Sequence, residues 1–535
     1  MKYTQPIVLL ATFFCLLAIQ PARGDDQRLD DGLIDAEGFV AVFVRMEDQL
    51  FSQGGDYELF CEQQPRGTKR LELRKRVVAG LKKRADRDAA AVDAELKKLI
   101  DAGEVRGVQR YWIINGFACE ATDEGRRALA AMEPVGFVYR QRYGAQHRTR
   151  AADIYRPIES MNALYRKLSK DRVINIDVPF DAEGLEVPWN LEAIRADRVW
   201  RENDIAGKGV VVAVLDDGMM AVPALLPSLW RNPKEQVNGK DDDGNGYIDD
   251  VFGYNFMQDS PYAVKPLGHR HGTLCAGVIA GRPTGGEEPI ATGVAPRARI
   301  MPLVGNGQLR AYEYALEHGA DVLSMSYTFE PTKMGQYRGL YRTAHEHLSA
   351  AGIVSVGGAG NYAQRWPVGK QIGSPKDIPC VIAAGGVGVE RTVSAFSSRG
   401  PVSWKGIRYY DDVDDERTLL IKPDVTACNA DFPMWTHKAV WTGTRAGRLK
   451  EVVYEDEAGY VFAIGPRGNS FSGPHAAGVA ALMLEANPDL PVWHLQRLMQ
   501  ETCKDMGEPG LDATYGAGLL QADRAVEAAI EFKAK

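Results

Sequence analysis

An α/β fold, with a mostly parallel central sheet flanked by helices and a small α+β unit in front of it, is the architecture this sequence predicts. Three observations carry that reading. From about residue 195 onward, short apolar runs alternate with helical segments rich in alanine and glycine. Runs that stay apolar, rather than alternating with polar residues, belong to strands covered on both faces, as in parallel sheets. Between residues 38 and 142 the rhythm is instead strand, helix, strands, helix, strand, the order of a split βαβ, ferredoxin-like sandwich. The length of 535 residues also exceeds one average domain.

The elements follow in order. MKYTQPIVLLATFFCLLAIQPARG places Lys2 before an apolar run over residues 7–19, with Ala22 and Gly24 at the −3 and −1 positions of a cut before Asp25. That run is shorter than the roughly 20 residues needed to cross a bilayer. Residues 1–24 therefore read as a secretory signal, which implies a secreted or periplasmic protein. No later stretch reads as a transmembrane helix, so no stable membrane anchor is expected.

Within residues 25–142, GFVAVFVRM reads as a strand and the charged stretch over about 75–102 as a helix. VQRYWIINGFACEAT supplies one or two strands, DEGRRALAAME a helix and VGFVYRQR a last strand. Residues 143–190 show little periodicity beyond IESMNALYRKL and read as a linker. In residues 191–535 the predicted strands are VVVAVL, RIMPLV, DVLSMSY, IVSVGGA and CVIAAGG.

Composition narrows the function classes. A hydrophobic content of 45% and a charged content of 25% are ordinary for a globular protein. The net charge of −7 offers no basic surface, so no nucleic acid partner is expected. Six cysteines follow the leader at wide, irregular spacing that fits no metal motif, and they read as core residues.

Ligands on parallel sheets bind at the carboxyl ends of the strands, and three motifs fall there. VVVAVLDDG puts Asp216 at the end of a buried strand, with Gly218 allowing a sharp turn. GHRHGTLCAGVIAG puts His271 at the start of a small-residue helix; nearby His269 lacks the following Gly-Thr. GNSFSGPHAAGVAALML puts Ser470 where another helix begins, beside unpaired N–H groups and partial positive charge. Singly, each has a plain structural explanation: a loop acid, an exposed histidine, a serine cap. Together they supply a hydroxyl nucleophile, an imidazole to take its proton and a carboxylate to orient the imidazole. SVGGAGNYAQ adds Asn361 after a predicted strand, an amide donor for a developing oxyanion, with Gly358 and Gly360 leaving room beside it.

With these motifs, and with HGADVLSMS, AFSSRGP, KPDVTA and the closing YGAGLLQADRAV, the chain over residues 186–530 resembles a subtilisin-like serine peptidase, a subtilase. The resemblance implies a triad of Asp216, His271 and Ser470, with Asn361 and the Ser470 N–H as oxyanion donors. It also implies an endopeptidase acting on polypeptide substrates. Backbone at Gly305-Asn306-Gly307 and Ser326-Tyr327-Thr328 would pair with an extended peptide, and Gly358, Ala359 and Gly360 would floor the pocket for the residue before the cut. Departures from the family pattern are Asn469, Phe471 and Ser472 around the nucleophile, and Thr328 in place of glycine. WTGTRAGRLKEVVYEDEAGYVFAIG is expected as an inserted hairpin near the site. Asp217 gives an Asp-Asp-Gly seen in kexin-like members, which implies a basic residue near the cut.

KDDDGNGYIDD resembles an EF-hand loop. Asp241, Asp243, Asn245, the Tyr247 carbonyl and Asp249 fall at ligand positions for calcium, although Phe252 stands where a closing glutamate is usual. Residues 38–142 resemble subtilase propeptides, which implies a folding assistant that then inhibits its own enzyme by placing VGFVYRQR in the active site. A non-catalytic binding protein, or one limited to self-processing, is the alternative on the same fold.

Overall fold

The computed structural model describes residues 27–34, 36–65, 67–142, 157–175, 177–268, 270–284, 288–411, 419–441 and 450–534. The leader over residues 1–24 and His269 lie outside these.

The N-terminal unit comprises β1 (Val40–Met46), α1 (Arg70–Asp101), β2 (Val105–Tyr111), β3 (Gly116–Ala121), α2 (Asp123–Ala131) and β4 (Val135–Arg140). Its sheet has the order β2-β3-β1-β4, antiparallel throughout. Strand periodicity divides its side chains between two cores. Val42, Val44, Phe117 and Val138 pack with Val92 and Leu96 of α1 inside the unit. Phe43, Ala118, Phe137 and Tyr139 face the other way and join a core shared with the larger body. The first half of α1 joins that shared core through Leu73, Val77 and Leu81.

Residues 143–156 of the expected linker lie outside the described residues; the rest of that stretch packs rather than spans. The helix α3 (Glu159–Ser169) buries Tyr165 and Leu168 in the main core. The Tyr165 hydroxyl donates to the Pro261 carbonyl at 2.8 Å and accepts from the Val264 N–H at 2.9 Å. An amphipathic helix with an apolar face needs a surface to cover, and here it has one.

The body is built on β5 (Val211–Asp216), β6 (Tyr254–Asn255), α4 (Arg270–Ala280), β7 (Arg299–Val304), α5 (Leu309–Glu317), β8 (Val322–Met325), α6 (Tyr337–Ala350), β9 (Val354–Gly358), β10 (Ile382–Val387) and β11 (Val425–Cys428). These seven strands pair in parallel in the order β11-β10-β9-β8-β5-β7-β6. The sheet is the parallel, helix-flanked α/β sheet that the apolar runs predict. The hairpin expected over 441–465 is part of a three-stranded sheet, β12 (Pro433–His437), β13 (Glu451–Glu455) and β14 (Tyr460–Ile464), in the order β12-β14-β13. It packs beside α4, where Trp435 lies against Gly277.

The helix α7 (Asn469–Ala486) is buried on nearly every side. A helix that is apolar all round is a core helix. It approaches β9 so closely that a Cβ on Gly358 would sit 1.8 Å from the Asn469 carbonyl oxygen, so only glycine fits there. The six described cysteines are all free thiols.

Candidate active site

The carboxyl ends of β5 and β9 and the amino ends of α4 and α7 meet at one edge of the large sheet. Asp216 is the last residue of β5, and its carboxylate accepts from His271 Nδ1, which lies 2.8 and 2.9 Å from the two oxygens. Burial pushes the His271 imidazole down, but the Asp216 carboxylate outweighs it and holds the ring well above its ordinary pKa. The Phe471 ring lies 5.9 Å from the imidazole, centroid to centroid.

Asp217 does different work from its neighbour. Its carboxylate accepts from the Gly272 N–H at 2.7 Å and the His271 N–H at 3.2 Å, so it caps α4 and fixes the backbone that carries His271. Burial, then the like charge of Asp216, raises its pKa. The carboxylate is turned into the fold.

Ser470 is the second residue of α7, and Gly468, not the serine, is the cap. Pro474 stands past the first turn, at the sixth residue of the helix, further in than a first-turn placement. A proline there has no N–H for the carbonyl four residues back, which is that of Ser470. Ser326 Oγ supplies the missing donor at 2.7 Å, and Cys275 Sγ approaches the same oxygen at 3.5 Å. Ser470 Oγ lies 3.4 Å from the Ser326 carbonyl oxygen. The N–H of Ser470 belongs to the first turn, where no intrahelical acceptor exists.

Asn361 is held by the residue beside Ser470. Its side-chain oxygen accepts from the Asn469 N–H at 2.9 Å, which leaves its Nδ2 amide to face the site. Asn469, where the family commonly has threonine, ties this edge together. Its Nδ2 donates to the Gly360 carbonyl and to Ser397 Oγ, both at 2.9 Å, and its oxygen accepts from Asn429 Nδ2 at 2.8 Å. Ser472 Oγ donates to the Ala384 carbonyl at 2.9 Å. These two substitutions replace packing with a satisfied polar network.

A pocket of about 280 Å³ opens beside Ser470, lined by Ser326, Thr328, Gly358, Gly360, Asn361, Tyr362 and Arg365. Gly305 and Gly307, expected on a substrate strand, follow β7 but do not line this pocket. The Gly307 carbonyl is turned inward and accepts from the Tyr341 hydroxyl at 2.8 Å. No residue of the N-terminal unit lines the pocket, and β4 pairs with β1. A larger groove of about 630 Å³, between Phe180, Arg282 and Trp435, contains none of the expected site residues.

Sequence reading passed over Cys275, Glu235 and Arg365. Cys275 stands four residues after His271, on the same face of α4. Its thiol lies 3.8 Å from Asp216 Oδ2 and 3.4 Å from Ser326 Oγ. The helical spacing alone placed it near the imidazole, but cysteines at irregular spacing gave no reason to look.

In the acidic loop, Asp241 and Asp243 face Glu235, with their oxygens within 4.8 Å of one another. Glu235 Oε2 is buried without a hydrogen-bond partner, and burial followed by the Asp250 charge raises this carboxyl to about 7. An all-oxygen donor set with an orphaned buried carboxylate oxygen fits a hard divalent cation such as calcium. The rest of the EF-hand-like set also bonds within the turn. The Asp249 carboxylate accepts from the Asn238 and Gly239 N–H groups, both at 2.8 Å. Asn245 Oδ1 accepts from the Tyr247 N–H, and its Nδ2 donates to Asp250. The Tyr247 ring is packed between Tyr254 and Tyr314. Asp241 likewise accepts from the Gly244, Asn245 and Gly246 N–H groups. Glu235 beside Asp241 and Asp243 is the acid that no EF-hand spacing would include.

The chain is similar to known proteins in sequence and in fold. The profile of the Subtilase family matches residues 207–518. Bacillopeptidase F of Bacillus subtilis is 26% identical over 85% of this chain and 29% of its own length. Fervidolysin of Fervidobacterium pennivorans is 26% identical over 63% of this chain and 43% of its own length. The chain thus spans less than half the length of these relatives. The crystal structure of fervidolysin, described as a keratinolytic enzyme related to subtilisin, superposes with a TM-score of 0.51 at 19% identity, over 92% of this chain and 61% of that one. That likeness is one of fold. With its profile match running from the start of β5 through the Ser470 helix, the chain belongs to the subtilase family.

Proposed function

We propose that this chain is a secreted serine endopeptidase, made as a proprotein that processes itself. Ser470 Oγ attacks the carbonyl carbon of the scissile peptide while His271 Nε2 takes its proton. Asp216 orients the imidazole and stabilises the imidazolium. The Asn361 Nδ2 amide and the Ser470 N–H receive the oxyanion. As the C–N bond breaks, His271 returns the proton to the leaving amine, and water then hydrolyses the acyl ester by the same route.

The observation that carries this reading is the His271–Asp216 pair, at 2.8 Å, on the same sheet edge as Ser470 and the braced Asn361 loop. No hydrogen bond joins Ser470 Oγ to His271 among the described residues, and in free enzymes such bonds tighten only when substrate binds. Labelling with a fluorophosphonate tests the reading. Modification at Ser470, absent in Ser470→Ala, is expected; an unreactive Ser470 after release of the N-terminal unit would favour a binding protein instead.

The N-terminal unit acts in this proposal as intramolecular chaperone and inhibitor. Its support is the depth of docking. Glu313 of α5 accepts from the Trp112 and Ile113 N–H groups at 2.6 and 3.0 Å. Arg70 pairs with Asp321 at 2.9 Å, and the Tyr57 hydroxyl meets Ser349 Oγ at 2.6 Å. Glu235, Asp241 and Asp243 would hold calcium, whose charge offsets their mutual repulsion and stabilises the loop. Among the described residues no helix is long and apolar enough to cross a membrane.

A further inference from the structure

We propose that the pocket beside Ser470 selects an acidic residue, aspartate or glutamate, immediately before the cut, and that Arg365 is the side chain that reads its carboxylate. The proposal rests on the peptidase reading above and names its substrate class.

Arg365 is the charged side chain among the residues lining the pocket. It is exposed, and among the described residues it makes no ion pair. Its position is fixed by a turn. The Arg365 N–H donates to the Tyr362 carbonyl at 2.8 Å, and the Tyr362 N–H donates to Ser398 Oγ at 3.0 Å. Residues three apart on such a turn project to one side, which brings both side chains to the pocket. A guanidinium stays charged at every working pH, and its planar fork matches a carboxylate with two parallel hydrogen bonds.

The opposite wall, Ser326 and Thr328, is neutral, and the floor at Gly358 and Gly360 has no side chain. The volume of about 280 Å³ leaves room for a side chain as long as glutamate. Among the described residues no acid lines the pocket. Asp216 is engaged by His271, and both oxygens of Asp217 are engaged by the backbone of α4.

A second cation lies behind the pocket. Lys376 packs against Gly357, next to the floor, and its ammonium sits 5.1 Å from the centroid of the Tyr327 ring, between Ser326 and Thr328 in the chain. Lys376 Nζ is buried without a hydrogen-bond partner. Burial lowers it to about 7, so Arg365 is the constant charge and Lys376 a lesser one. Both have the sign that attracts a carboxylate into a small cleft.

The test uses the processed protein and internally quenched peptides that differ only before the cut: glutamate, glutamine, leucine or lysine. Fluorophosphonate titration of the same preparation counts competent Ser470. The expected kcat/KM is at least about tenfold higher for glutamate than for glutamine, the scale of one charge-assisted hydrogen bond. That ratio should fall as salt rises. Arg365→Gln should bring it to about one, Arg365→Lys should restore part of it, and Arg365→Glu should shift the preference to lysine. Reading a ratio cancels any general loss of activity. A preparation that labels at Ser470 yet prefers leucine or lysine, or whose ratio survives Arg365→Gln, overturns this inference and leaves the peptidase reading standing. One that fails to label overturns both.

Discussion

In the small sheet Val42 and Val44 point into one core while Phe43 points into another; in the large sheet the strand Val211–Asp216 is covered on both faces by helices of its own body. The two sheets are equally dry but for different reasons. The small sheet buries its second face only because it is docked. The large sheet closes both faces from within and leaves its carboxyl edge free. On the proposed reading the interface would come apart without unfolding the body, whereas the edge would be a fixed platform on which side chains keep their geometry.

If the edge is a platform, its chemical groups can be removed at little cost to the fold. Ser470→Ala should lower peptide hydrolysis by more than about 10³-fold. Its melting temperature should stay near that of the parent, as read by calorimetry; a collapse in stability would place Ser470 in the fold rather than the chemistry. Asn361→Ala should lower kcat by about 10²- to 10³-fold with KM little changed, because the oxyanion donor acts mainly in the transition state.

The interface should respond to pH instead. Burial raises Glu313 from 4.5 to about 8 in the docked state, and burial lowers His347 from 6.5 to about 4. Docked Glu313 holds a proton that it gives up on release, so docking weakens as pH rises from 4.5 through about 8. Released His347 takes up a proton that it lacks when docked, so docking weakens as pH falls from 6.5 through about 4. Between 4.5 and 6.5 the two oppose each other. Docking should thus be strongest there and fall off on both sides, by at most about 1.4 kcal/mol per pH unit. Amide exchange over β2 and β3 in full-length Ser470→Ala would show it. Glu313→Gln should remove the alkaline limb, and His347→Gln the acid one.

The smallest effect concerns a third kind of burial, like charges without a counter-charge. A chelator should lower the melting temperature by a few degrees, the shift expected when a ligand well above its Kd is withdrawn. Glu235→Gln should shrink that difference, whereas Asp249→Asn should act through the Asn238–Gly239 turn and leave the chelator response in place.

Much was legible without coordinates because it depends on local pattern. The apolar runs announce strands covered on both faces, GFVAVFVRM announces a strand, and Asp216, His271 and Ser470 each stand at an element boundary. Long-range partners were not legible. An acidic pair, Asp216-Asp217, looks the same in sequence whichever carboxylate orients the imidazole. Nothing in the sequence around Gly305 and Gly307 shows that the Tyr341 hydroxyl holds the Gly307 carbonyl.

The sequence by itself determined the strand order in the chain, the helix that carries Ser470 and the residue types a nucleophilic site needs, because these follow from hydrophobic period and backbone chemistry. Only the tertiary structure decided which groups meet. Ser326 replaces the N–H that Pro474 lacks, Asn469 braces Asn361, Glu235 joins Asp241 and Asp243, and Arg365 turns into the pocket. Each pairing joins residues distant in the chain or on separate turns. Such contacts are selected by the packing of whole elements, on which local spacing has no hold.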